Sequence, residues 1–257
     1  MERKKPTPIL SSILVLILVS LACGTAQPTP TSTPEPTVTN GAVPTNTPRP
    51  SPTPQPTPTP NLAATQRAEE LNAEVQTYFD KGYLATTNGR FKELGDFSYD
   101  WAQLGSYRLF PLGESASDFF LSGHFEWDSA FRNSGKAGCG FYFSYEENEF
   151  HYAVILDRSQ VYFLITDLSR GYSGLVTPTR GTGLVDFDYP VEADFTLIVK
   201  GTYAYVRVDG EVVGEYTLAR SRPPHGDLGL TALSSTNRGY GTRCEMTNLH
   251  LWIPIQE

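Results

Sequence analysis

Cysteine is scarce in this chain: there are three, Cys23, Cys139 and Cys244. Neither Cys139 nor Cys244 has a second cysteine or a histidine at ligand spacing, which argues against a zinc ribbon or finger. Histidine is equally thin. His124, His151, His225 and His250 form no His-x-x-x-His pair, so metal-ligand spacing is missing there too. No Gly-x-Ser-x-Gly elbow and no phosphate-cradling glycine loop occurs, which leaves nucleophilic-hydrolase and nucleotide chemistry without support. Positive charge is in deficit: 20 Lys and Arg against 28 Asp and Glu give a net charge of −8. That balance argues against nucleic acid or an anionic lipid surface as partner and is compatible with neutral glycans. Nor is there a long apolar run. Ile9 to Ala22 falls short of the roughly 20 residues a helix needs to cross a bilayer.

The first sixty residues nevertheless have a clear layout. Met1-Glu2-Arg3-Lys4-Lys5 is a charged n-region, Ile9 to Ala22 an apolar h-region broken only by serines, and Ser20-Leu21-Ala22-Cys23-Gly24 a small-residue cleavage site. This arrangement resembles a bacterial lipoprotein signal, with Ser20 standing where such signals usually carry an aliphatic residue. The resemblance implies a signal and lipobox over 1–23, acylation of Cys23, and a partner in the membrane itself. The expected location is the extracytoplasmic face of the cell membrane. Two acyl chains suffice for lasting attachment, where a single one holds only marginally. An ordinary secreted chain and an uncleaved anchor are the alternatives. Residues 24–60 follow as a tether of Pro, Thr, Ser, Asn and Gln, holding 12 of the 20 prolines. Such a stretch forms neither helix nor ladder. Extended at about 3.1 Å per residue, it reaches on the order of 100 Å.

With Cys23 acylated, an even pair of cysteines remains in an oxidising compartment, and a Cys139–Cys244 disulfide is expected there. Two buried free thiols are the alternative. Composition changes at Asn61, an expected N-cap, and residues 61–84 read as an amphipathic helix packing on the domain. Ala64, Ala68, Leu71, Val75, Tyr78 and Phe79 share one face at three- and four-residue steps, with Arg67, Glu69, Glu70 and Glu74 away from it. From residue 85 to 257 the pattern is β. Phe119 to Trp127 alternates, placing Phe119, Leu121, Phe125 and Trp127 on one face. Cys139–Tyr145, His151–Leu156, Val161–Ile165, Phe195–Val199, Tyr203–Val208, Glu211–Leu218, Leu228–Leu233 and Arg243–Ile253 also read as strands, and Asp209-Gly210 marks a tight hairpin. Many strands without alternating helices predict an all-β, antiparallel two-sheet jelly-roll sandwich preceded by one helix.

Short segments in this order resemble the concanavalin A-like lectin/glucanase superfamily, including its laminin G-like and 3-keto-disaccharide hydrolase-like members. They are Gly138-Cys-Gly-Phe-Tyr-Phe143, His151-Tyr-Ala-Val-Ile155, Val206-Arg-Val-Asp-Gly-Glu-Val-Val213, Gly226-Asp-Leu-Gly-Leu230 and Met246-Thr-Asn-Leu-His-Leu-Trp252. The pairing of Gly138-Cys-Gly-Phe141 with Gly241-Thr-Arg-Cys-Glu-Met-Thr-Asn248, together with Asp96-Phe-Ser-x-x-Trp-Ala-Gln103, is also similar to uncharacterised bacterial lipoproteins on Thr-Pro tethers. That likeness agrees with the same disulfide and implies no activity.

Candidate sites are few. Glu126-Trp-Asp-Ser-Ala-Phe131 resembles the glucanase Glu-x-Asp-x-x-Glu strand, but Phe131 replaces the last acid, and glycoside hydrolysis needs a carboxylate pair. Catalytic residues are therefore not assigned. Glu146, Glu147 and Glu149 with Asn148 offer hard oxygens, but a solvated loop explains them more simply than calcium, and no cofactor or metal is assigned. Tyr142, Tyr145, Tyr152, Tyr162, Tyr203 and Tyr205 recur within strands as candidate ligand-binding rings, since an aromatic body with a hydroxyl tip suits sugar faces. Core packing is the alternative for each, and the expectation for Trp101 and Trp252. The expected function is a membrane-anchored, non-catalytic module binding glycans or another extracellular ligand; a carbohydrate-active enzyme and a structural envelope protein are the alternatives. The anchor generates a prediction. Expressed in a bacterium, the chain should fractionate with membranes, and Cys23→Ala should release it or leave its signal uncleaved. A membrane-free wild type with unmodified Cys23 by mass analysis would end the lipoprotein reading.

Overall fold

The structure, a computed structural model, describes residues 62–132, 135–147, 149–175, 183–220 and 224–255. The signal, Cys23, the tether and Asn61 lie outside the described residues. In chain order come α1 (Leu62–Asp80), β1 (Gly89–Glu93), β2 (Phe97–Trp101), β3 (Ser106–Ser115) and β4 (Phe119–Ser129). Then follow β5 (Gly138–Glu146), β6 (Phe150–Leu156), β7 (Val161–Asp167) and β8 (Tyr172–Leu175), with a short 3₁₀ turn, Leu168–Arg170, before β8. The last strands are β9 (Val191–Lys200), β10 (Tyr203–Val208), β11 (Glu211–Thr217), β12 (Asp227–Ser234) and β13 (Thr242–Pro254). Among the described residues, no helix is long and apolar enough to cross a membrane.

Two antiparallel sheets form the sandwich. The seven-stranded sheet runs β1-β13-β4-β9-β10-β11, with β2 also paired to β13; the six-stranded sheet runs β3-β12-β5-β6-β7-β8. Strand alternation decides what lies between them. Phe119, Leu121, Phe125 and Trp127 of β4 face inward as their spacing predicts, against Cys139, Phe141 and Phe143 of β5 and Phe195, Leu197 and Val199 of β9. Phe125, Phe141 and Phe195 pack ring on ring at 5.1–5.4 Å between centroids. The Asp209-Gly210 turn joins β10 to β11 with both residues at positive φ, 49° and 82°, the conformation a two-residue hairpin demands.

β1, β2, β3 and β8 escape the sequence pattern. Among the described residues all four pair on one side only, where clean alternation is not required; β3 even carries Pro111, tolerated at an edge. The helix differs as well. Leu71, Val75 and Tyr78 are buried, but Ala64 and Ala68 are exposed and Phe79 is 40% exposed. Arg67 and Glu74, expected on the solvent side, turn toward the seven-stranded sheet. The reason is chemical: Glu74 finds His250 Nε2 at 2.8 Å and the Tyr78 hydroxyl at 2.7 Å, while Arg67 meets Glu93 at 2.9 Å. Val75, Tyr78 and Leu84 then cover Phe120, Ile198 and Trp252 on that sheet's outer face. Trp252 lies flat over Gly89, where a Cβ would sit 2.3 Å from the indole.

Cys139 of β5 and Cys244 of β13 are joined, with Cα atoms 5.8 Å apart and no exposure. The bond links one sheet to the other. Closing a loop of 105 residues constrains the unfolded chain by up to about 4–5 kcal/mol in the chain-entropy account. Cys139→Ala with Cys244→Ala should therefore lower the denaturation midpoint under non-reducing conditions, with a reducing agent having the same effect on the wild type. Coincident unfolding curves for the two chains would contradict a stabilising bond.

Candidate functional site

The outer face of the six-stranded sheet is built from the residues between the core positions. Cross-strand rows place Gly229, Tyr142, Ala153 and Leu164 side by side, then Thr231, Gly140, Ile155 and Tyr162, and finally His151, Thr166 and Ser173. The middle of the face is small: Gly140, Ala153, Gly229 and Thr231. Tyr142 lies across the Gly229 position, where a Cβ would come within 2.2 Å of the ring.

One side chain reports the curvature of this face. Tyr107 sits on edge strand β3, yet its hydroxyl lies 2.7 Å from His151 Nε2 on β6 and 2.8 Å from Thr166 Oγ1 on β7. Those partners are three and four strands away in the sheet order. At about 4.8 Å per strand, a flat sheet would separate them beyond the reach of a tyrosine. The sheet therefore curls, its outer face is concave, and Tyr107 bridges it. Curling also explains why Tyr142, Ile155, Tyr162 and Leu233 are buried although they face outward. Tyr145 remains partly exposed beside the bridge, 5.8 Å from Tyr142 and 5.9 Å from His151 between centroids. Lys136 Nζ stands 4.9 Å over the Tyr162 ring at the other end of this surface.

The six tyrosines singled out from sequence divide three ways. Tyr142, Tyr145 and Tyr162 belong to the concave sheet. Tyr152 points into the core, 1% exposed, its hydroxyl accepting from the Ala219 N–H, because His151 takes the outer side of β6. Tyr203 and Tyr205 lie on the opposite sheet, where Tyr205 packs on Tyr83 at 4.6 Å beside α1. Sequence reasoning missed Tyr107, whose strand has no regular alternation, and it gave His151 no role. The four histidines are scattered: His124 meets Asp194, His151 meets Tyr107, His225 meets Glu146 and His250 meets Glu74. No cluster of three or more His, Cys, Asp or Glu suited to a metal occurs among the described residues; Asn148 of the proposed acidic loop lies outside them. Glu126 and Asp128 do share the outer side of β4. Asp128 is engaged by Arg132, at 3.0 Å, and by the Tyr240 hydroxyl, at 3.2 Å.

Comparison with known proteins adds likeness of shape. No family model matches the chain. No curated protein matches it significantly. Among solved structures, the carbohydrate-binding module CBM66 from Bacillus subtilis is similar over 62% of this chain and 92% of its own, at 12% identity and a TM-score of 0.44. A Bacillus subtilis protein of unknown function with a galectin-like fold is similar over 65% and 90%, at 10% identity and a TM-score of 0.42. The fructosyltransferase of A. japonicus matches over 68% of this chain but 28% of its own, at 14% identity and a TM-score of 0.42. Likenesses this distant carry no inference about ligand or activity, and the fold rests on the strand pairing itself.

The bridge has a pH signature. Burial, which penalises the charged form, pulls the His151 imidazole down to about 4. A group whose folded pKa is depressed contributes stability above its unfolded pKa, near 6.5, and loses it as pH falls toward the folded value. The loss is on the order of 3 kcal/mol below pH 4. His151→Gln should keep an acceptor for Tyr107 and flatten this part of the profile between pH 6.5 and 4, measured by chemical denaturation. Identical slopes in the two chains would show that His151 is not buried neutral.

Proposed function

We propose that this chain is a lipoprotein, anchored through Cys23 on the extracytoplasmic face, whose sandwich binds a glycan on its concave sheet without turning it over. One observation carries the binding reading: the curled face brings tyrosine rings together with an imidazole–hydroxyl–hydroxyl chain, His151, Tyr107 and Thr166. A sugar offers apolar ring faces and hydroxyls that both donate and accept. Tyr145 supplies a partly exposed ring of matching character, and the bridge supplies polar atoms that orient. The bridge itself contains no carboxylate, whereas glycoside hydrolysis calls for a pair of them. The tether and the acidic balance are in keeping with a ligand outside the cell.

The test is a polysaccharide panel in solution and on an array, using the full chain. Binding of at least one glycan is expected, weakened about five- to tenfold in Tyr145→Ala, in line with loss of one aromatic contact. Tyr107→Phe, which removes a single hydroxyl, should weaken it further while preserving the fold by circular dichroism. Binding indifferent to both substitutions would place the site elsewhere. Release of free sugar would replace the binding reading with an enzymatic one.

A further inference from the structure

On the opposite side of the sandwich, between α1 and the outer face of the seven-stranded sheet, lies a cavity of about 460 Å³. That size holds a small ligand. Its charged walls are mostly self-paired. Glu74 meets His250 at 2.8 Å, Arg67 meets Glu93 at 2.9 Å, and His124 meets Asp194 at 2.9 Å. His250 is the more firmly matched because both ring nitrogens face acceptor oxygens, Glu74 Oε2 and the Asn248 carbonyl.

Arg207 breaks the pattern. It is 8% exposed, with its guanidinium 4.8 Å over the Tyr78 ring and Nη2 donating to the Gly210 carbonyl. Its Nε has no hydrogen-bond partner. Among the described residues, no carboxylate forms an ion pair with it; Glu74 is close enough to sense its charge, but Glu74's oxygens are taken by His250 and Tyr78. A buried cation without a contacting counter-charge is costly, and a guanidinium is shaped to take a carboxylate. Beside it, the Ser122 and Thr196 hydroxyls lie 2.8 Å apart on the cavity wall, and the His124–Asp194 pair completes a mixed set of donors and acceptors.

We infer that this cavity is a second ligand site, selective for a hydroxylated carboxylate of the acidic-sugar class, with the carboxylate on Arg207 and hydroxyls on Ser122, Thr196 and Asp194. The site does not depend on the concave face. D-galacturonate and D-galactose are the probes, titrated into the full chain by calorimetry with saturation-transfer NMR as a second readout. Galacturonate should bind at least tenfold more tightly than galactose. Arg207→Gln should weaken it at least tenfold, as loss of a charged hydrogen-bond donor requires. His124→Ala, at the partly exposed rim, should weaken it several-fold without endangering the fold, and Tyr145→Ala should leave it unchanged. Equal binding of the two sugars, galacturonate binding insensitive to His124→Ala and Arg207→Gln, or no galacturonate binding at millimolar concentration would each overturn the inference.

Discussion

The ring cluster of Phe125, Phe141 and Phe195 is the contact on which the rest of the structure depends. It joins β4 and β9 of one sheet to β5 of the other and fixes which side of each strand is inside. Because side chains alternate, settling the inner set also settles the outer set. His124, Glu126 and Thr196 are outward on the seven-stranded sheet only because Phe125 and Phe195 are inward. Tyr142 and His151 are outward on the six-stranded sheet because Phe141 and Tyr152 are not. A slip of one residue in β5 would bury Tyr142 in the core and expose two phenylalanines, Phe141 and Phe143. Both candidate ligand surfaces are thus by-products of one packing decision.

The sequence and the structure agree most closely where burial is two-sided. Central strands such as β4, β5 and β9 must satisfy the core on one face and neighbours on both edges, and that demand leaves a periodic trace in Phe119, Leu121, Phe125 and Trp127. The Asp209-Gly210 turn is legible for a different reason, since few residue pairs tolerate two positive φ angles in succession. The edge strands β1, β2, β3 and β8 leave no such trace; β11, also at an edge, is legible through its hairpin with β10. Nor does curvature, which is a property of the whole sheet: nothing local to Tyr107 announces that its hydroxyl will meet a histidine 44 positions away. Tyr152 shows the opposite difficulty. Its residue type fits a binding surface, and only the parity of β6 reveals that it belongs to the core.

The helix offers a third case. Its small apolar residues suggested a wider buried stripe than the structure uses. What holds α1 is instead a short apolar patch, Leu71, Val75 and Tyr78, combined with an ionic contact between Glu74 and His250. Burial alone would raise the carboxyl and lower the imidazole. Their mutual hydrogen bond, with the Tyr78 hydroxyl on Glu74, outweighs it and holds Glu74 below and His250 above their ordinary ranges. The same polar dock leaves the cavity in which Arg207 stands without a contacting acid.

The Cys139–Cys244 bond has a consequence for how the domain would respond to proteolysis. Everything N-terminal to Cys139, including α1 and β1 to β4, is joined through the disulfide to everything C-terminal to Cys244. The 105-position span between the two cysteines is thereby closed into a ring. A protease that cuts the ring once opens it without separating the pieces: both new ends remain covalently attached to the N-terminal segment. A single cleavage anywhere from residue 140 to 243 would nick the domain and still leave it one covalent molecule.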